Sequence, residues 1–123
     1  MAQARTRLGR TGETLAARHL QARGWRIVAR NWRCATRDVR GEVDIIAWDG
    51  ATLVFCEVKT RRDTAAGGPF AAVTPRKRAR LRGLAASYLA TAGARAQVRF
   101  DVVGVLLPAA GGPARVRHMP GVF

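Results

Sequence analysis

Apolar and polar positions divide the chain into seven segments with two kinds of period. Leu8 to Arg23 reads as a helix that Gly24 stops. Trp25 to Trp32 (WRIVARNW) alternates, which predicts a strand, and Arg33 to Gly41 reads as a polar, charged loop. Two strands follow, Glu42–Trp48 and Thr52–Thr60, joined at the hairpin signal Asp49-Gly50. Both are apolar on both faces, which places them centrally in a sheet covered on each side. Arg61 to Val73, with Gly67-Gly68-Pro69, reads as a flexible loop. Thr74 and Pro75 then open a second helix as N-cap and first helical residue. Leu81, Leu84, Ala85, Tyr88 and Leu89 give it an apolar stripe, and Gly93 ends it. Gln97–Leu107 is a long buried strand. After a turn at Gly111-Gly112-Pro113, Ala114–Met119 is a short edge strand. The expected architecture is α/β, in the order α-β-β-β-α-β-β, with a central mixed sheet flanked by helices. It forms one domain over residues 8–123, preceded by a loose basic arm at residues 1–7.

Composition adds the partner class. The chain has 123 residues, of which 48% are apolar, enough for one domain with a real core. Its formal net charge is +14. Self-repulsion on that scale brings a lone domain no stability and suits a polyanionic partner, nucleic acid first. The opening MAQARTRLGR has no apolar signal core, and no apolar stretch approaches the roughly 20 residues that span a bilayer. Cys34 and Cys56 form neither a zinc pattern nor a disulfide framework. A cytoplasmic setting is expected, with no membrane partner. Of the 22 basic residues only Lys59 and Lys77 are lysine. A chain that uses arginine for generic positive charge and keeps two lysines hints at places where a compact ammonium is required.

The acids carry the candidate chemistry. Four of only eight, Glu42, Asp44, Asp49 and Glu57, lie in the central hairpin. Asp49 belongs to the turn. Asp44 and Glu57 interrupt apolar strands, and a carboxylate under burial needs a cation or a donor. Glu57 and Lys59 share a face by strand alternation. With a two-residue Asp49-Gly50 loop, Asp44 opposes Phe55 and lies on that face, about 7–8 Å diagonally from Glu57. A four-residue loop sets the two acids directly opposite. An odd register or a bulge separates them across the sheet. Two carboxylates on one face would hold a hard divalent cation, Mg²⁺ or Mn²⁺, by oxygen ligation. Lys59 would then stabilise transition-state charge beside it. A structural pairing of Asp44 with Lys59, or of Glu57 with an arginine, fits the spacing as well. Glu13 lies within roughly 20° of Leu20 on a helical wheel, at the border of the inward arc. It is either a further ligand or a solvated flank residue.

Arg76, Lys77, Arg78, Arg80 and Arg82 crowd the first turns of the second helix, where cations oppose the helix dipole. A bound phosphate would resolve that conflict; a solvated charged face is the plainer account. His19 and His118 lack ligand partners at useful spacing, and Trp25, Trp32 and Trp48 fit a core role.

Several motifs carry a resemblance: Gly9 and Gly12-Glu13, Arg30-Asn31, Gly41-Glu42-Val43-Asp44, Val54 to Arg61 (VFCEVKTR), Lys77, and Arg99 to Val103 (RFDVV). From Leu8 to Phe123 the chain resembles the YraN-like family, which looks like a branch of the PD-(D/E)xK nucleases close to archaeal Holliday-junction resolvases. The resemblance implies a restriction-endonuclease-like core. It implies Asp44 and Glu57 as metal ligands with the backbone carbonyl of Val58, Lys59 as the catalytic lysine, and Glu13 as the helical glutamate. Arg61 and Arg99, within these motifs, join the second-helix cations as expected nucleic-acid contacts. Two departures are a longer segment Cys34–Arg40 and Cys56 where valine is common. The expected function is metal-dependent endonucleolytic hydrolysis, of DNA first and branched DNA among the substrates, with a homodimer left open. The alternatives are a non-catalytic nucleic-acid-binding module on the same fold and a basic interaction or ribosome-associated protein.

Overall fold

A computed structural model describes residues 2–62 and 74–122 of the chain. Its elements are α1 (Ala2–Ala22), β1 (Arg26–Ala35), β2 (Arg40–Asp49), β3 (Thr52–Arg61), α2 (Pro75–Ala92), β4 (Gln97–Leu106) and β5 (Arg115–Met119). This is the expected α-β-β-β-α-β-β order. The five strands form one mixed sheet in sequence order, parallel only between β3 and β4, where α2 makes the crossover. Among the described residues no helix is long and apolar enough to cross a membrane.

Each helix covers one face. On the α1 face, Ala16, Ala17 and Leu20 pack on Ile45, Ala47, Val54, Cys56, Val103 and Val105. On the α2 face, Leu81, Leu84 and Ala85 pack on Val43, Ile46, Leu53 and Phe55. Thr74 caps α2 by accepting a 3.1 Å hydrogen bond from the Lys77 N–H, and Gly93 closes it in the left-handed conformation at φ 64°. The approach of α1 to the sheet is close: a Cβ at Gly12 would collide with the side chain of Thr60. That close approach requires glycine and draws the next residue, Glu13, toward the sheet.

Three local expectations change. The helix α1 begins at Ala2, so the segment expected as a loose arm is its first turns. The segment expected as a loop from Arg33 to Gly41 is mostly strand. β1 and β2 run on to a tight turn over residues 36–39, where the Thr36 N–H donates to the Val39 carbonyl at 2.9 Å. Its polar positions belong to an edge strand with one face in solvent, a composition that imitates a loop. In the next hairpin Asp49 pairs with Thr52, so Gly50 and Ala51 form the turn and Trp48 faces Leu53. The expected flexible loop lies mostly outside the described residues.

A candidate acidic metal centre on the α1 face

Asp44 sits where the pleat of the sheet is broken. Ile45 and Ala47 face α1 while Ile46 faces α2, as alternation requires. Val43 also faces α2, three residues from Ile46. In β1, Ala29 and Trp32 pack against that same α2 layer and are again three apart. The pairing around them keeps register, Arg30 with Ile45 and Trp32 with Val43. Both strands therefore take one extra step at the same level, at Asn31 and Asp44. Asn31 makes the step with φ 53°, a conformation that asparagine tolerates better than most residues. The step turns Asp44 to the α1 face.

There it meets two other acids. Carboxylate oxygens of Glu13, Glu42 and Asp44 all lie within 4.8 Å of one another. The Asp44 Oδ2 atom accepts a 2.7 Å hydrogen bond from the Val58 N–H, across the point where the β2–β3 ladder stops after Ile45 and Cys56. Burial pushes the Asp44 carboxyl up to about 7; the Val58 N–H opposes this, and the charges of Glu13, Glu42 and Glu57 add to it. A cation beside a carboxyl in that state shifts it toward its ionised form. The clefts over the group are rimmed by cations. Arg10 and Arg33 line one beside Glu13 and Glu42, and Arg61 and Arg62 line the other beside Glu13, Asp44 and Val58.

Glu57 and Lys59 lie on the opposite face. Cys56 and Val58 pack toward α1, so the residues alternating with them point to α2. There Lys59 Nζ is 2.6 Å from Glu57 Oε1, and Lys77 of α2 interacts with both. The expectation that Asp44 and Glu57 share a face is thus overturned by the step in β2, which leaves the pairing with β1 in register. The two acids still feel each other's charge across the broken ladder. Among the described residues the ion-pair partner of Glu57 is Lys59 on its own strand, not an arginine, and Asp44 pairs with no lysine.

The remaining candidates divide by exposure and distance. Arg76, Arg78, Arg80 and Arg82 are exposed along α2, and Lys77 is half-buried. Arg99 has structural partners at the far end of the strands. Its Nε and one terminal nitrogen bind the fully buried Asp101 at 2.9 and 3.0 Å, and it reaches Asp49 at 3.1 Å. His118 Nε2 and the Gly121 N–H complete the shell of Asp101 at 2.6 and 3.0 Å. Glu42 was not among the expected ligands. Its signal was the Glu-x-Asp spacing, which sets two carboxylates on one side of a strand.

Comparison with known proteins places the chain in a family. The model of the uncharacterised protein family UPF0102 matches residues 12–105, a span holding both acid groups and both lysines. The chain belongs to family UPF0102. A UPF0102 protein of Streptomyces coelicolor is 53% identical over 121 residues, covering 97% of this chain and 90% of that one. One from Frankia alni is 52% identical over 98% of each chain. Another from Acidothermus cellulolyticus is 49% identical over 99% of this chain and 97% of its own. Kinship with UPF0102 thus covers nearly the full length of the chain.

Proposed function

We propose that this UPF0102 chain is a metal-dependent hydrolase of phosphodiester bonds in nucleic acid, DNA first. The observation that carries the reading is the group Glu13, Glu42 and Asp44, three converging carboxylates in a chain of net charge +14. Glu42 is exposed and pairs with Arg33 at 3.4 Å, while Glu13 and Asp44 beside it are half-buried; a hard cation would offset the repulsion that remains among the three acids. Their all-oxygen donor set suits Mg²⁺ or Mn²⁺ and does not suit a thiophilic metal. When bound, such an ion would polarise a phosphoryl oxygen and lower the pKa of a water.

The chain's own residues supply the rest. Arg10, Arg33, Arg61 and Arg62 can neutralise backbone phosphates on either side of the acids. The Val58 N–H fixes the orientation of Asp44. Where the β2–β3 ladder stops, the charge of Glu57 still acts on Asp44, and Lys59, held by Glu57 on the other face, would offer an ammonium to phosphoryl charge reaching round that end of the sheet.

The test is cleavage of single-stranded, duplex and branched DNA, and of RNA, with Mg²⁺ or Mn²⁺, beside the Asp44→Ala protein. Metal-dependent cleavage by the wild type and none by the variant supports the reading. No cleavage of any substrate, with binding intact, replaces it by a non-catalytic nucleic-acid-binding module.

A further inference from the structure

Gly9 and Gly12 both lie in α1, and the fold explains only one of them. Gly12 is where the helix meets the sheet, since a Cβ there would collide with the Thr60 side chain. At Gly9, outside its own helix and among the described residues, a Cβ would meet nothing within 4 Å. Gly9 lies inside the continuous helix Ala2–Ala22 and is not in a positive-φ conformation. Alanine would fit there without strain or collision, and glycine weakens a helix interior. Packing among the described residues gives the helix nothing in return.

What Gly9 has is a position. It lines both clefts that open beside the acids. Glu13, about one turn further along the same side of α1, also lines both. Glu42 lines the first cleft and Asp44 the second. The helix at Gly9 is thus the ridge between two clefts, and the acids lie to either side of it. Exposed arginines line the clefts as well, Arg10 and Arg33 in the first and Arg61 in the second. With no side chain at residue 9, the ridge stands no higher there than the helix backbone. An isolated phosphate would fill one side only. An extended polyanion can lie over the ridge and reach cations on both sides, and glycine is the residue that lets a ligand come close to the main chain.

We infer that one strand of the nucleic acid crosses α1 over Gly9, with its phosphates held by Arg10 and Arg33 on one side and by Arg61 on the other. The crossing brings a phosphodiester beside Glu13, Glu42 and Asp44. The inference rests on the hydrolase reading above and deepens it, because it gives the strand a path over the acids. Gly9 is a positioning residue in this path. It carries no charge and acts by leaving room.

The test uses the full chain carrying Gly9→Ala or Gly9→Leu, with Gln21→Leu as a control at the exposed far end of α1. Three quantities are measured: the melting temperature, the affinity for a fluorescent single-stranded phosphorothioate DNA oligonucleotide, and cleavage of the substrate that the wild type cuts best. Both Gly9 variants should melt at or above the wild-type temperature, because each adds a better helix former. Affinity should fall in order of side-chain size, a few-fold for alanine and about tenfold or more for leucine, the scale of forcing a group into an occupied contact. Cleavage should fall at least as far, and Gln21→Leu should match the wild type in all three. A Gly9→Leu protein that binds and cuts as the wild type does overturns the crossing, and the hydrolase reading survives. A Gly9→Ala protein that melts well below the wild type also overturns it, since the glycine then serves the fold. The graded loss of affinity in a protein that cuts nothing upholds the crossing and sinks the hydrolase reading instead. A wild type that does not bind the oligonucleotide sinks both.

Discussion

Asp44 has a donor on one side and negative charge on the other. The Val58 N–H holds its Oδ2 atom, while burial raises its carboxyl to about 7 and the charges of Glu13, Glu42 and Glu57 add to this. Asparagine retains an oxygen for that N–H and removes the charge. Asp44→Asn should therefore melt at the same temperature as the wild type or higher in metal-free buffer, and lose the rise that Mn²⁺ brings to the wild type. A variant that is less stable without metal and still responds to Mn²⁺ would remove Asp44 from the centre. Lys59 is tested by rate rather than stability. With 22 basic residues sharing the attraction to phosphate, Lys59→Ala should keep DNA affinity within a few-fold. It should lose cleavage by roughly 10²-fold or more, because its ammonium matters most where charge develops. Lys59→Arg should not restore the rate, since a planar guanidinium fork does not replace a compact ammonium. Equal cleavage by wild type and Lys59→Ala on one substrate refutes the role.

At the scale of elements, the paired step in β1 and β2 decides which face holds the acids. Asn31 carries the step on the β1 side at φ 53°. Glycine adopts that conformation without cost, and a β-branched residue resists it. Asn31→Gly should keep both the fold and the Mn²⁺ response. Asn31→Val should lose about 1–3 kcal/mol of stability. Its Mn²⁺ response should weaken as well, because a β1 strand drawn back to regular pleating pulls Asp44 away from Glu13. Denaturant melts of the two variants, with and without Mn²⁺, check this; equal behaviour would show that the step does not depend on Asn31. The two helices bring different partners to the strands. α1 comes close enough at Gly12 to deliver Glu13 to one face, and α2 covers the other with Leu81, Leu84 and Ala85.

Across the whole molecule, charge is sorted along the sheet. Arginines ring the acids at the Arg61 end of β3, and at the Thr52 end Arg99 is engaged by Asp49 and Asp101. Replacing Arg10, Arg33, Arg61 and Arg62 with alanine should flatten the salt dependence of DNA affinity by up to about one unit for each phosphate left without its arginine. The matched substitution of Arg76, Arg78, Arg80 and Arg82 measures the share of the α2 surface. An unchanged slope in the first variant would take nucleic acid off the α1 face. The far end anchors the fold. Burial alone would raise the Asp101 carboxyl, but Arg99, the Gly121 N–H and His118 outweigh it and hold Asp101 below its ordinary value. An acid depressed in the folded state contributes stability above its unfolded value, about 3.9, and loses it as pH falls through the lower folded value. Acid melts should therefore show a loss below about pH 4. Asp101→Asn should cost about 1–3 kcal/mol at neutral pH, because it removes the buried charge that Arg99 and His118 share and leaves Arg99 with Asp49 alone. A neutral-pH melt matching the wild type would contradict that anchoring role.

Much of this protein is determined locally, and the sequence shows it. Helix and strand periods, the Thr74-Pro75 start, the Gly93 stop and the apolar runs of β2 and β3 are set by neighbouring residues, so the α-β-β-β-α-β-β order is legible without coordinates. So is the oddity of Asp44, Glu57 and Lys59 in apolar strands, because burial is expected there whatever the register. Which carboxylates converge is another matter. Alternation assigns faces only while the pleat is unbroken, and a step shared by Asn31 and Asp44 exists only once β1 and β2 are paired. Tertiary structure therefore decided that Asp44 joins Glu13 and Glu42, and that Glu57 turns to the other face with Lys59. Arg99 was expected as a nucleic-acid contact because within its own strand it is one more cation, and only the arrival of Asp49 and the C-terminal residues around Asp101 gives it structural partners. Faces, partners and charge balance are properties of pairs of elements, and no single segment of the chain contains them.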